Sequence, residues 1–199
     1  MTTIHSRREV ILLALRAAGI TALAGSGTLL SACASSADRR GIVSDSDFST
    51  AQIVWLDEVA ETILPTTDTP GAKAAGVGAF IALMVKDTYS PDERHIFMDG
   101  MTTLEAECIT RFQRGYMEAD AKQRHELLTH LDKVAHEHGL TLGAEDPPHY
   151  FRMIKQLTLL GYFTSEIGYT QAMRYVETPG RWDPCVDYKP GERTWARHA

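Results

Sequence analysis

Four histidines crowd one stretch of the chain, His125, His130, His136 and His138, and they have the strongest claim on metal or acid–base chemistry. Neutral imidazole is a common metal ligand, and two ligands on one helix share an ion when they stand three or four residues apart. His125 and His130 are five apart, and His136 and His138 are two apart, so they point in different directions. This spacing reads as the polar face of a surface helix. His95 and Asp99 do stand at i and i+4, opposite an apolar stripe, and read as a solvated pair. Other reactive patterns are missing. There is no Cys-x-x-Cys-His for covalent c-type haem and no Gly-x-Ser-x-Gly elbow. Gly76-Val77-Gly78 lacks the third glycine of a dinucleotide fingerprint, and no Glu-x-x-His offers half of a di-metal site. The expectation is a chain with no catalytic, cofactor-binding or metal-binding residue of its own.

The cysteines say more. Cys33 closes Leu30-Ser31-Ala32-Cys33, a lipobox-like sequence in which the thiol would take lipid after cleavage. Upstream, Ser6-Arg7-Arg8-Glu9-Val10-Ile11-Leu12 reads as a twin-arginine export signal. The apolar stretch after it is broken by Arg16 and diluted by Gly19, Gly25 and Gly27. A spanning helix needs about 20 apolar residues, and a mid-span charge costs roughly 2.5–3.5 kcal/mol on insertion scales. The segment is therefore a poor permanent span and a suitable signal for the export of folded protein. Cys108 falls on an apolar helical stripe and reads as a small core residue. Cys185 lies in a Pro/Gly-rich tail near Trp182 and Tyr188. Three readings of it stay open: an incidental thiol, a bridge to Cys108, or a bridge to another subunit.

Removing residues 1–32 takes away Arg7, Arg8 and Arg16 against Glu9. Of the chain's 20 Lys+Arg and 26 Asp+Glu, 17 and 25 remain, a net charge of −8. An acidic domain without a basic cluster argues against nucleic acid and against electrostatic docking on anionic lipid. What remains is one domain of ordinary size, and two cysteines do not make a disulfide scaffold.

The elements that must position these residues are helices throughout. Residues 33–47 are small and polar and read as a lipidated tether, and residues 48–199 read as the domain. Ser49 with Gln52 forms a capping box before Ile53, Leu56, Ala60, Ile63 and Leu64, and Pro65 stops the run. A structured loop, Pro65 to Gly71, leads to the stripe Val77, Phe80, Ile81, Met84 and Val85. Ser90-Pro91-Asp92-Glu93 opens a third helix, through Phe97, Met101, Leu104, Cys108 and Phe112, with Gly115 as its expected end. Leu127, Leu128, Leu131, Val134 and Ala135 form a fourth, expected to close at Gly139. Pro147-Pro148 start a fifth through Phe151, Ile154 and Leu157 to about Leu160, and Ile167–Val176 predicts a short sixth. No period-two alternation appears. The expected fold is all-α, a single domain of five to six helices with an irregular C-terminal tail, preceded by a cleaved signal segment.

Two long motifs now stand out. Thr62-Ile63-Leu64-Pro65-Thr66-Thr67-Asp68-Thr69-Pro70-Gly71-Ala72-Lys73-Ala74-Ala75-Gly76-Val77 resembles the signature of the gluconate 2-dehydrogenase subunit 3 family. Leu157 to Gly168 resembles that family's second motif, with Phe163 where a second tyrosine is more usual. Tyr175 through Pro179-Gly180 to Cys185 is similar to its C-terminal pattern, so the likeness spans roughly residues 50–187. The resemblance implies a small, helical, non-catalytic subunit of a periplasm-facing dehydrogenase. Its large partner would be an FAD-dependent protein of the glucose–methanol–choline class, oxidising a sugar, sugar acid or other alcohol. Electrons would pass to a multihaem cytochrome c subunit. The small subunit would carry the folded partner through the twin-arginine route and anchor it by lipid on Cys33.

Within that reading Pro65, Asp68, Pro70, Gly71, Gly161, Tyr162, Ser165, Glu166 and Gly168 serve fold and interface. Asp68 and Thr69 would cap the following helix. Gly161 and Gly168 would break the helix, with Tyr162 and Phe163 packed on a partner. The rival expectation is a free-standing exported helical lipoprotein, metal-binding or structural, without a redox partner.

Overall fold

The computed structural model describes residues 48–143, 146–178, 180, 181, 185, 187 and 189–196. Five α-helices make up this part: α1 Thr50–Ile63, α2 Val77–Thr88, α3 Pro91–Phe112, α4 Ala121–Thr141 and α5 Tyr150–Phe163. A short π-helix, Gly168–Ala172, follows. There is no strand among the described residues, only an isolated bridge between Arg174 and Trp195. The all-α expectation holds.

Local chemistry sets most boundaries. The Ser49 hydroxyl accepts from Gln52 N while the Gln52 side chain accepts from Ser49 N, and Ser90 and Glu93 repeat this exchange at α3. Asp120 and Gln123 form a third such box at α4. Each satisfies donors that a helix start leaves orphaned.

Three ends differ from expectation. The chain leaves α3 at Gln113, in the left-handed region at φ 58°, so the turn precedes Gly115. Gly115 instead heads the next turn, its carbonyl accepting from the amides of Glu118 and Ala119. Gly139 lies inside α4, which runs on to Thr141. One interior glycine costs a helix about 1 kcal/mol, and the packed face of α4 carries it through. Pro147 and Pro148 precede α5 and do not open it; His149 is its cap. The sixth element shrinks to the π-helix. Gly168 leaves no room for a Cβ against the Tyr162 carbonyl, which lets the chain turn tightly there.

Helix α5 packs against each of the other four. Those four form a ring in which α1–α2, α2–α3, α3–α4 and α4–α1 are neighbours. Leu56, Ile81, Phe97, Leu104, Leu131 and Ile154 are fully buried at the centre. Phe48 seals one end edge-on to Phe97, ring centroids 6.1 Å apart. The diagonal pair α1 and α3 makes no close backbone approach among the described residues.

Candidate interaction surface

The loop between α1 and α2 is fixed by three carboxylates of α1. Glu61 accepts from the Thr66 amide (2.9 Å) and hydroxyl (2.8 Å) through one oxygen, and from the Lys73 amide (2.9 Å) through the other. The Thr66 hydroxyl oxygen in turn accepts from Gly71 N. A Cβ at Gly71 would collide with the Glu61 carboxylate, so a larger residue there would push that carboxylate off the loop donors it accepts from. Asp57 accepts from Gly78 N at 2.7 Å, at the start of α2. Burial is the main cause that raises its carboxyl above the usual range. Glu58 pairs with Lys73 of the loop and, at 2.7 Å, with Arg124 of α4. The Lys73 bond is the main cause that lowers its pKa. Arg124 also donates to the carbonyls of Tyr116 and Met117 and lies over the Tyr116 ring.

The second motif closes on the first. Tyr162, 4% exposed, donates from its hydroxyl to Pro70 O at 2.7 Å. Gly161 stays inside α5 and admits the Phe80 ring of α2, whose Cδ1 would lie 2.5 Å from a Cβ there. Ser165 donates to Tyr162 O and accepts from Gly168 N, holding the turn after α5. These facts correct three expectations. Gly161 does not break the helix. Tyr162 packs on its own loop; its neighbour Phe163 is 37% exposed. The cap of α2 is Gly76, at φ 69° and with no side-chain bond, so Asp68 and Thr69 do not cap it. Asp68 instead accepts from the Thr67 hydroxyl, and Pro65, Thr66, Thr67 and Asp68 form the exposed tip.

Outside this braced loop lies an open apolar groove of about 560 Å³ between α1 and α3. Trp55, Met101, Ile109 and Met117 line it, with Ala51 and Ala106 on its walls. Its one carboxylate, Glu105, is already engaged: Trp55 Nε1 donates to it at 2.9 Å and Tyr116 N at 3.1 Å. Ile109 and Met117 are 48% and 44% exposed. A surface of Trp, Met and Ile whose one carboxylate is held by internal hydrogen bonds has the composition of an interface centre.

The histidines do not converge. His125 borders a small recess with Asp132 and Lys155, which pair at 2.6 Å, and His136 borders the adjoining groove on the far side of that pair, beside Arg152. His130 is exposed. His95 and Asp99 form an exposed pair at 3.2 Å. No group of three His, Cys, Asp or Glu side chains that could hold a metal occurs among the described residues. Cys108 is buried and Cys185 exposed, and both are free, so the structure has no bridge between them. Arg7, Arg8 and Cys33 lie outside the described residues, as do Trp182 and Tyr188. No described helix is long and apolar enough to cross a membrane.

The sequence reading missed Asp57, Glu58, Glu61 and Arg124. One signal was available. Glu61 sits in the last turn of α1, where a helix disfavours negative charge, so the carboxylate had to be spent on something.

The polar groups of α1 thus serve as braces, and the open face between α1 and α3 is apolar. The particular family follows from comparison with family models: gluconate 2-dehydrogenase subunit 3 matches residues 50–180, and the chain belongs to that family. The match begins on the first residue of α1 and takes in the braced loop, all five helices and the π-helix. No curated protein and no solved structure gives a significant match.

Proposed function

We propose that this chain is the non-catalytic small subunit of a periplasm-facing, FAD-dependent dehydrogenase of the glucose–methanol–choline type, acting on a sugar, sugar acid or other alcohol. Family membership over residues 50–180 is the observation that carries the reading. In it, FAD belongs to the large subunit and haem c to a third subunit. Arg7 and Arg8 direct export of the folded complex, lipid on Cys33 anchors it, and Cys185 bridges to another subunit. The groove between α1 and α3 supports the reading, because a mainly apolar trough suits the side chains of a partner chain better than a polar substrate.

The test is deletion of this chain beside its flavoprotein. The expected result is flavoprotein retained in the cytoplasm or degraded, with loss of membrane-bound activity. Normal export and activity of the flavoprotein would overturn the proposal. Non-reducing electrophoresis of the native complex checks Cys185: a band at the summed mass supports the bridge, and a free small-subunit band refutes it.

A further inference from the structure

We propose that His149 is a proton-sensitive cap: neutral, it holds the first turn of α5; protonated, it releases that turn and loosens the packing of α5 on α3. The geometry is that of an N-cap. His149 has extended backbone, φ −61° and ψ 136°, and its Nδ1 accepts from Phe151 N at 3.2 Å. Ser, Thr, Asp and Asn are the usual caps, and their oxygens accept at any pH near neutral. An imidazole accepts at Nδ1 only while that nitrogen is unprotonated, which puts the ring proton on Nε2. Protonation turns the acceptor into a donor facing another donor, at a helix start that repels positive charge.

The surroundings disfavour the charged form too. His138 of α4 stands edge-on to the ring, centroids 5.7 Å apart. Tyr150 stacks on the same ring, centroids 4.4 Å apart. Glu107 of α3 acts on Tyr150, and Asp146 of the preceding loop is engaged by Gly143 N. Arg152, in the first turn of α5, is a further cation, with Nη1 3.7 Å from where a Gly139 Cβ of α4 would stand. Among the described residues no carboxylate pairs with His149. Burial, then His138, lowers its pKa below the ordinary 6.5. The folded state thus prefers neutral His149 and the unfolded chain takes the proton more readily. The stabilisation is full above pH 6.5 and is lost as pH falls through the folded value.

The release has a mechanical target. Tyr150, the first residue of α5, lies directly over Gly100 of α3, where a Cβ would meet its ring. Fraying the first turn lifts that ring from α3.

The test compares the full chain with His149→Asn, a cap that does not titrate in this range. Thermal unfolding is followed between pH 7.5 and 5. The wild type should lose roughly 2–4 °C more in Tm than His149→Asn over that interval. Parallel pH profiles would overturn the proposal. Imidazole NMR of the wild type gives a second readout that does not depend on the variant folding. The expected signature is a neutral Nε2–H tautomer titrating below the other histidines. An Nδ1–H tautomer, or an ordinary or raised pKa, would also overturn it.

Discussion

Two tyrosines show how much a hydroxyl depends on where it points. Tyr162 Oη donates to Pro70 O and joins the two family motifs. Tyr150 Oη is buried and finds no protein partner. Tyr162→Phe should cost about 0.5–1.5 kcal/mol, the net worth of one hydrogen bond. Tyr150→Phe should be neutral or stabilising, because it removes a buried polar group. Urea unfolding of the two variants checks the contrast, and equal losses would contradict the assignments. At this scale the sequence was partly legible. Ser49, Ser90 and Glu93 announce their caps because capping is local. Tyr162 was read as facing a partner because its acceptor lies 92 positions away. No local rule reports a partner that distant.

Helix α1 works at the element scale as a rail that carries the loop to α2. Its apolar stripe, Ile53, Leu56 and Ala60, was legible from period alone. Its acidic row was not, since exposed and bracing carboxylates look alike in sequence. Glu61→Ala would leave three loop donors without their acceptor, and hydrogen bonds to a charged group are worth about 1.5–3 kcal/mol each. The loop should open while the bundle stays folded, seen as faster hydrogen exchange at the Thr66 and Lys73 amides with α3 and α4 unchanged. Acid should act on the same rail. Glu58 has a lowered pKa, so its contribution is present above the ordinary 4.5 and fades as pH falls further. Asp57, raised by burial, works in the opposite sense and weakens the fold as pH climbs past 3.8. Deleting the main Glu58 partner by Lys73→Met should flatten the acid limb of a stability–pH curve.

For the whole molecule the question is which face meets another chain. The ring of α1 to α4 is filled by α5 on one side and leaves the α1–α3 diagonal open elsewhere. Ile109→Glu places a charge in that trough on a residue already 48% exposed. Folding stability should shift by no more than about 0.5 kcal/mol. Co-purification with the proposed flavoprotein partner should fall sharply, and recovery at the wild-type level would remove the groove as the seat of that partner. The sequence could say that the fold was helical and that the motifs belonged together. It could not say that α1 and α3 stay apart, because an open diagonal depends on five helices packing at once.

The central place of α5 has a consequence for how the protein is made. Every other helix packs against it, and it is the last of the five to be synthesised. A nascent chain that has reached only the end of α4 lacks the one helix that touches all four others, so the faces that α5 packs against stay uncovered. The core should therefore be completed only after Phe163 has cleared the ribosome, and products that stop short of α5 should be cut by proteases faster than the full chain.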